Sequence, residues 1–150
     1  MRVVIQRVSR ASVSINHKIY SEIGCGLMIL AGFEEADTIE DIEWLSNKIV
    51  QLRVFDDTTG VMNLSVQETN GDLLVVSQFT LHARTRKGNR PSYIKAAKPE
   101  IAIPLYNQFL SSLETLMGKK VKTGEFGSMM QCEIINDGPV TIIIDTKNKE

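Results

Sequence analysis

The sequence predicts an α+β fold: antiparallel-rich β-sheets curled towards a barrel, with two main helices packed outside, in one domain spanning residues 1–150. Three observations predict it. Strand-like patterning fills residues 2–33 and returns after residue 121. Two stretches, 37–52 and 100–117, instead carry apolar residues every three or four positions. A chain of 150 residues is long enough for one real hydrophobic core and is most simply one domain.

Val4, Gln6 and Val8 alternate with Val3, Ile5 and Arg7, the period of a strand. Val13 and Ile15 follow, and Asn16-His17 reads as a hairpin turn before Lys18-Ile19-Tyr20. His17 is then a solvated turn residue. Gly24 and Gly26 flank Cys25 and break the pattern. Leu27-Met28-Ile29-Leu30-Ala31 is apolar on both faces, which predicts a central strand. In the first helix Asp37 reads as the cap, with Glu40 at capping-box spacing. Ile39, Ile42, Leu45, Ile49 and Leu52 form its apolar stripe, and Trp44 lies off that line. Its acidic side chains read as a solvated face near the helix N-terminus, because they do not converge as metal ligands must.

Arg53-Val54-Phe55 reads as a short strand, residues 56–60 as a turn, and Val61-Met62-Asn63-Leu64 as its partner. Asn70-Gly71-Asp72 turns the chain into the apolar strand 73–79. Ala102, Leu105, Tyr106, Phe109, Leu113 and Leu116 line the second helix, and Gly118 is its stop. Pro104 must fall in the first turns of that helix or it would kink it. Residues 129–135 and 140–144 read as strands on either side of Asn136-Asp137-Gly138-Pro139, a strong turn signal. Residues 147–150 read as a frayed end.

A net charge of -1 argues against a protein that binds nucleic acid over its whole surface, but leaves room for a local basic site. Residues 73–99 contain no acidic side chain, while Arg84, Arg86, Lys87, Arg90, Lys95 and Lys98 all fall there. Such a patch suits phosphate contacts; a solubilising surface loop is a reading of at least equal weight. Cys25 and Cys132 lack metal-ligand spacing and form no disulfide framework, so both are expected as buried free thiols. The N-terminus has no signal-peptide pattern and no apolar run approaches membrane-spanning length. The expectation is a soluble cytoplasmic protein with no membrane partner.

Common catalytic constellations are missing: no G-x-S-x-G, P-loop, G-x-G-x-x-G, His-Glu-x-x-His or Cys-x-x-Cys. What stands out is Ser77-Gln78-Phe79-Thr80-Leu81, a polar cluster between the apolar strand and the basic loop. In a strand Thr80 and His82 would share a face, so a Thr–His pair is conceivable; a strand-end histidine touching solvent is the preferred reading. Neither Thr80 nor Ser77 has an evident base, and a free hydroxyl is a weak nucleophile. What remains is backbone chemistry, with strand-end amides aimed at a developing oxyanion.

Five stretches in order carry a family resemblance along the whole chain: residues 5–13, Ser77-Gln78-Phe79-Thr80-Leu81, residues 85–92, residues 123–131, and Asn136-Asp137-Gly138-Pro139-Val140-Thr141. Together they resemble the D-aminoacyl-tRNA deacylases of the D-tyrosyl-tRNA deacylase type. The resemblance implies hydrolysis of the ester joining a D-amino acid, or glycine, to the 3′-terminal adenosine of tRNA. It implies a homodimer that needs no cofactor or metal, with Gly138-Pro139 as a Gly-cis-Pro element inserted into the partner's pocket to exclude L side chains. It implies that Arg7 supports this element, that Ser77, Gln78, Phe79 and Thr80 form the catalytic floor, and that Phe126 and Met129 hold the adenosine. The family reading has also included Thr80 as nucleophile; the missing base speaks against it here. Taken without the resemblance, Gly138-Pro139 is a plain turn between two strands.

Two other classes stay open on the residues alone. One is a non-catalytic RNA-binding module using residues 84–98, against which stands the single aromatic residue of that loop, Tyr93. The other is a metal-independent hydrolase of another small ester.

Overall fold

The computed structural model describes all 150 residues. The strand β1 (Arg2–Ile15) is its hub. It pairs antiparallel with β2 (Lys18–Ile23), with β3 (Gly26–Gly32) and, along most of its length, with β8 (Gln131–Asp145). On the other side of β3 lies β6 (Asp72–Ser77), then β7 (Lys122–Thr123), both pairings parallel. The order is β2-β1-β3-β6-β7, and Ser21 Oγ of β2 donates to the Thr123 carbonyl of β7 at 2.6 Å. The two ends of the sheet therefore meet, and it curls nearly into a barrel. A two-stranded ribbon, β4 (Phe55–Asp56) and β5 (Met62–Leu64), stands apart. Helices α1 (Ile39–Gln51) and α2 (Pro99–Met117) complete the α+β fold.

The strand period divides the core. Val3, Ile5, Leu27, Ile29, Ala31, Leu73 and Val75 join Ile42, Leu45, Ile49, Phe109 and Leu113 of the helices in one cluster. Val8, Ala11, Val13, Met28, Leu74 and Val76 form a second cluster inside the curl. β3 and β6 are thus buried on both faces, as their unbroken apolar runs predict.

Several local expectations change. The cap of α1 is Thr38, not Asp37, and its box partner is Asp41. Asp37 is buried and pairs with the Met1 ammonium. Ile39 is 50% exposed, because with Thr38 as cap it begins the helix outside the buried stripe. The terminus is tied down as far as Lys147, whose Nζ meets Asp41 Oδ2 at 2.6 Å. Both cysteines are exposed rather than buried: the glycines beside Cys25 and the edge position of Cys132 keep them out of the core. Asn16 and His17 hold φ of 51° and 61°, the left-handed turn expected of that hairpin. Pro104 sits early in α2, and Gly118 ends that helix with φ 66°. No helix is long and apolar enough to cross a membrane.

Candidate active site

The strand β6 ends at Ser77, two residues sooner than the apolar run suggests. Gln78 N still donates to Ala31 O at 2.7 Å, and then Phe79–His82 coil into a 3₁₀ turn. That turn changes the chemistry of the motif. Thr80 and His82 no longer share a strand face. His82 is 4% exposed, packed close to Gly32, and its Nε2 has no protein partner. This corrects the expectation of a solvent-touching histidine. Thr80 Oγ1 accepts a hydrogen bond from Gln78 Nε2. No carboxylate or imidazole hydrogen-bonds to it.

Ser77, Gln78 and Phe79 line a cavity of about 660 Å³. Phe126 and Met129 line the same cavity, so five of the nine singled-out residues converge there. Phe126 leans on Tyr106 at 5.8 Å between ring centroids, and the Tyr106 hydroxyl donates to Val75 O at 2.9 Å. Burial, and after it Tyr20, pushes the Tyr106 phenol well above its ordinary range, so it stays a neutral donor. Met129 is 92% exposed at the rim. Cys132 also borders the cavity, with desolvation raising its thiol pKa. Thr80 lines a different space, of about 780 Å³, together with Arg2, Leu81 and residues 142–145. No three His, Cys, Asp or Glu side chains converge as a metal site requires.

Gly138, Pro139 and Arg7 border neither of these cavities. They make a separate unit. On β1 Gln6 and Val8, two positions apart, face Thr141 and Asn136, five positions apart on β8. The surplus residues bulge out of the strand, so Asn136-Asp137-Gly138-Pro139 is no reversing turn but a loop between two segments paired with the same neighbour. The Gly138-Pro139 peptide is cis and Gly138 has φ 115°. Arg7, buried to 6% exposure, grips the bulge from below. Its Nε donates to Asp137 O at 3.2 Å and meets Asp137 Oδ2 at 3.2 Å. Its Nη1 donates to Val54 O at 2.7 Å and to Asp56 Oδ1 at 3.3 Å. Sequence reasoning does not single out Asp56; an acidic residue in a turn-like stretch gives no sign of a distant partner.

The basic segment closes as a hairpin, with Arg84 and Ser92 exchanging backbone hydrogen bonds of 2.8 and 3.1 Å. All six of its cations are exposed, and none joins an ion pair. Tyr93, with Phe79, borders the 660 Å³ cavity, so the loop's single aromatic residue has a companion that spacing does not reveal.

A family model described as D-Tyr-tRNA(Tyr) deacylase matches residues 4–145. The chain belongs to this family. Similar proteins named D-aminoacyl-tRNA deacylase come from Bacteroides fragilis, at 67% identity, and Flavobacterium psychrophilum, at 66%, each aligned over all of both chains. Among solved structures, the c-Myc DNA Unwinding Element Binding Protein superposes with a TM-score of 0.92 at 41% identity, covering 97% of this chain and 98% of that one. A probable eukaryotic D-amino acid tRNA deacylase shares the fold, with a TM-score of 0.82 at 18% identity over 95% and 97%. As a member of the deacylase family the chain is an enzyme, a hydrolase of the D-aminoacyl-tRNA deacylase class that serves translation quality control.

Proposed function

We propose that the chain hydrolyses the ester of D-aminoacyl-tRNA, and of glycyl-tRNA, through main-chain groups in a homodimer. The observation that carries this is the cavity that brings Ser77, Gln78 and Phe79 opposite Phe126 and Met129, beside a hairpin of unpaired cations. The terminal adenosine lies against Phe126 and Met129, and the ester reaches the turn that starts at Phe79. The first N–H groups of a helical turn lack intrahelical acceptors, so the Phe79 and Thr80 amides are available to the carbonyl oxygen as it gains charge. Thr80 Oγ, already held by Gln78, contributes no nucleophile. Water attacks instead, positioned by the substrate's own neighbouring ribose hydroxyl, which makes binding and placement the main catalytic device.

Chirality is read by the partner's bulge. Gly138 and Pro139 are exposed, border neither of the two cavities described above, and project from a strand paired on one side only. Inserted into a second copy, their backbone would hold the amino group and leave no room for an L side chain. Backbone contacts read the Cα substituents without choosing among D side chains, and glycine offers no side chain to reject. The proposed place of action is the cytoplasm.

The test is incubation with D-Tyr-tRNA, L-Tyr-tRNA and Gly-tRNA. Rapid release from the first and third with the second spared is expected. Equal cleavage of D and L forms would overturn the filter, and cleavage of small esters in the presence of competing tRNA would favour a different hydrolase. Thr80→Ala should keep activity within about tenfold of the parent, since a positioned general catalyst contributes on the order of a hundredfold or more.

A further inference from the structure

Phe79 and Tyr93 stand at the mouth of the cavity with 56% and 39% of their surface exposed. Their rings meet edge to face, 5.0 Å between centroids and 75° between planes. Both rings therefore border the cavity while part of their surface stays open to solvent. Aromatic surface left in water beside a cavity is a binding feature more than a packing one. Tyr93 follows directly on Ser92, where the basic hairpin closes on Arg84. The exposed cations Arg84, Arg86, Lys87 and Arg90 thus belong to the hairpin that Tyr93 adjoins, and Lys98 lines the cavity itself. Rings followed by unpaired cations is the arrangement by which proteins hold single-stranded nucleic acid: bases stack, and phosphates meet the charges.

We propose that Phe79 and Tyr93 form a second nucleobase subsite, which stacks the base immediately 5′ of the substrate's terminal adenosine. The inference rests on the proposed action on aminoacyl-tRNA and adds the part of the RNA that the enzyme holds beyond its last nucleoside. Stacking tolerates any base, which suits an enzyme that must serve many tRNAs. The subsite places the 3′ end in register before the ester reaches the Phe79–Thr80 amides, and it acts only on substrates longer than one nucleoside.

Two small substrates separate the subsite from the adenosine pocket: D-tyrosyl-adenosine and the dinucleotide ester D-tyrosyl-cytidylyl-adenosine. The native protein should cleave the dinucleotide ester with a kcat/KM about tenfold or more above the adenosine ester, the scale of one base stacked on an aromatic ring. Tyr93→Ala should remove most of that advantage through KM, lowering kcat/KM on the dinucleotide ester severalfold more than on the adenosine ester. Tyr93→Phe, which keeps the ring and serves as the folded control, should retain it. Equal losses on both substrates, or no loss on either, overturn the subsite while leaving the deacylase reading intact. Failure of the native protein to cleave either ester or D-Tyr-tRNA overturns both.

Discussion

Gly138 has the least freedom of any residue at the site. A Cβ placed there would lie 2.9 Å from Arg7 Nη2 and 3.0 Å from Val140 Cγ2, and a φ of 115° belongs to a region that side chains avoid. Gly138→Ala should therefore cost roughly 1–3 kcal/mol of stability and shift the bulge off Arg7. Activity should fall at least tenfold on D-aminoacyl and glycyl substrates alike, measured by deacylation of charged tRNA alongside thermal unfolding. Arg7 is the second fixed point. Its planar fork reaches Val54, Asp56 and Asp137 at once, and a lysine point charge cannot do so. Arg7→Lys should lower turnover more than it lowers melting temperature, since the hydrogen bonds of that fork are what aim the bulge. Arg7 itself is legible in the sequence through the resemblance. Its partner Asp56 is not, because the contact joins residues 49 positions apart.

At the level of single elements, the site depends on where β6 stops. Alternation marks apolar runs well but not the residue at which pairing ends, so Phe79 reads as strand although it begins a 3₁₀ turn. That difference decides the chemistry, since it separates Thr80 from His82 and buries the latter. The same ambiguity moves the cap of α1 by one residue. Asp37, Thr38 and Asp41 are all good terminal residues, and only the packing of Asp37 against the Met1 ammonium assigns Thr38 the capping role. Thr38→Ala should destabilise the protein by about 1 kcal/mol, the usual worth of a cap. Urea unfolding should show a lower midpoint at unchanged slope. Helix positions, the central strands and the basic hairpin's charge are readable because each rests on local periodicity or composition. The β8 bulge reads as a turn because Gly-Pro looks alike in both settings. Only the pairing of both flanks with β1 tells them apart.

Across the whole molecule, the curl of the sheet follows from the strand patterning, but the closing contact between Ser21 and Thr123 joins residues 102 positions apart and leaves no local signal. Acid stability likewise draws in part on a long-range contact. Burial opposes ionisation of Asp41, yet the Lys147 ammonium, the Thr38 N–H and Thr146 outweigh it and hold the carboxyl at about 2. Burial also opposes Asp145, which Arg2 brings below its ordinary value. Folded-state values below the unfolded ones mean stability that is complete above about pH 4 and lost as pH falls towards 2. The melting temperature should drop over that window, and Asp41→Asn should flatten the drop. Lys147 shifts upward, chiefly through its bond to Asp41, so its contribution is intact below its unfolded value and fades only in strong alkali. β8, finally, is a 15-residue outer strand paired on one side only. Long open edges invite other chains to add strands and grow fibres. The protrusion at residues 137–140 breaks that edge into two short lengths. Excising it should yield a chain that scatters light and sediments on warming, because the segment that carries Gly138 and Pro139 also guards against aggregation.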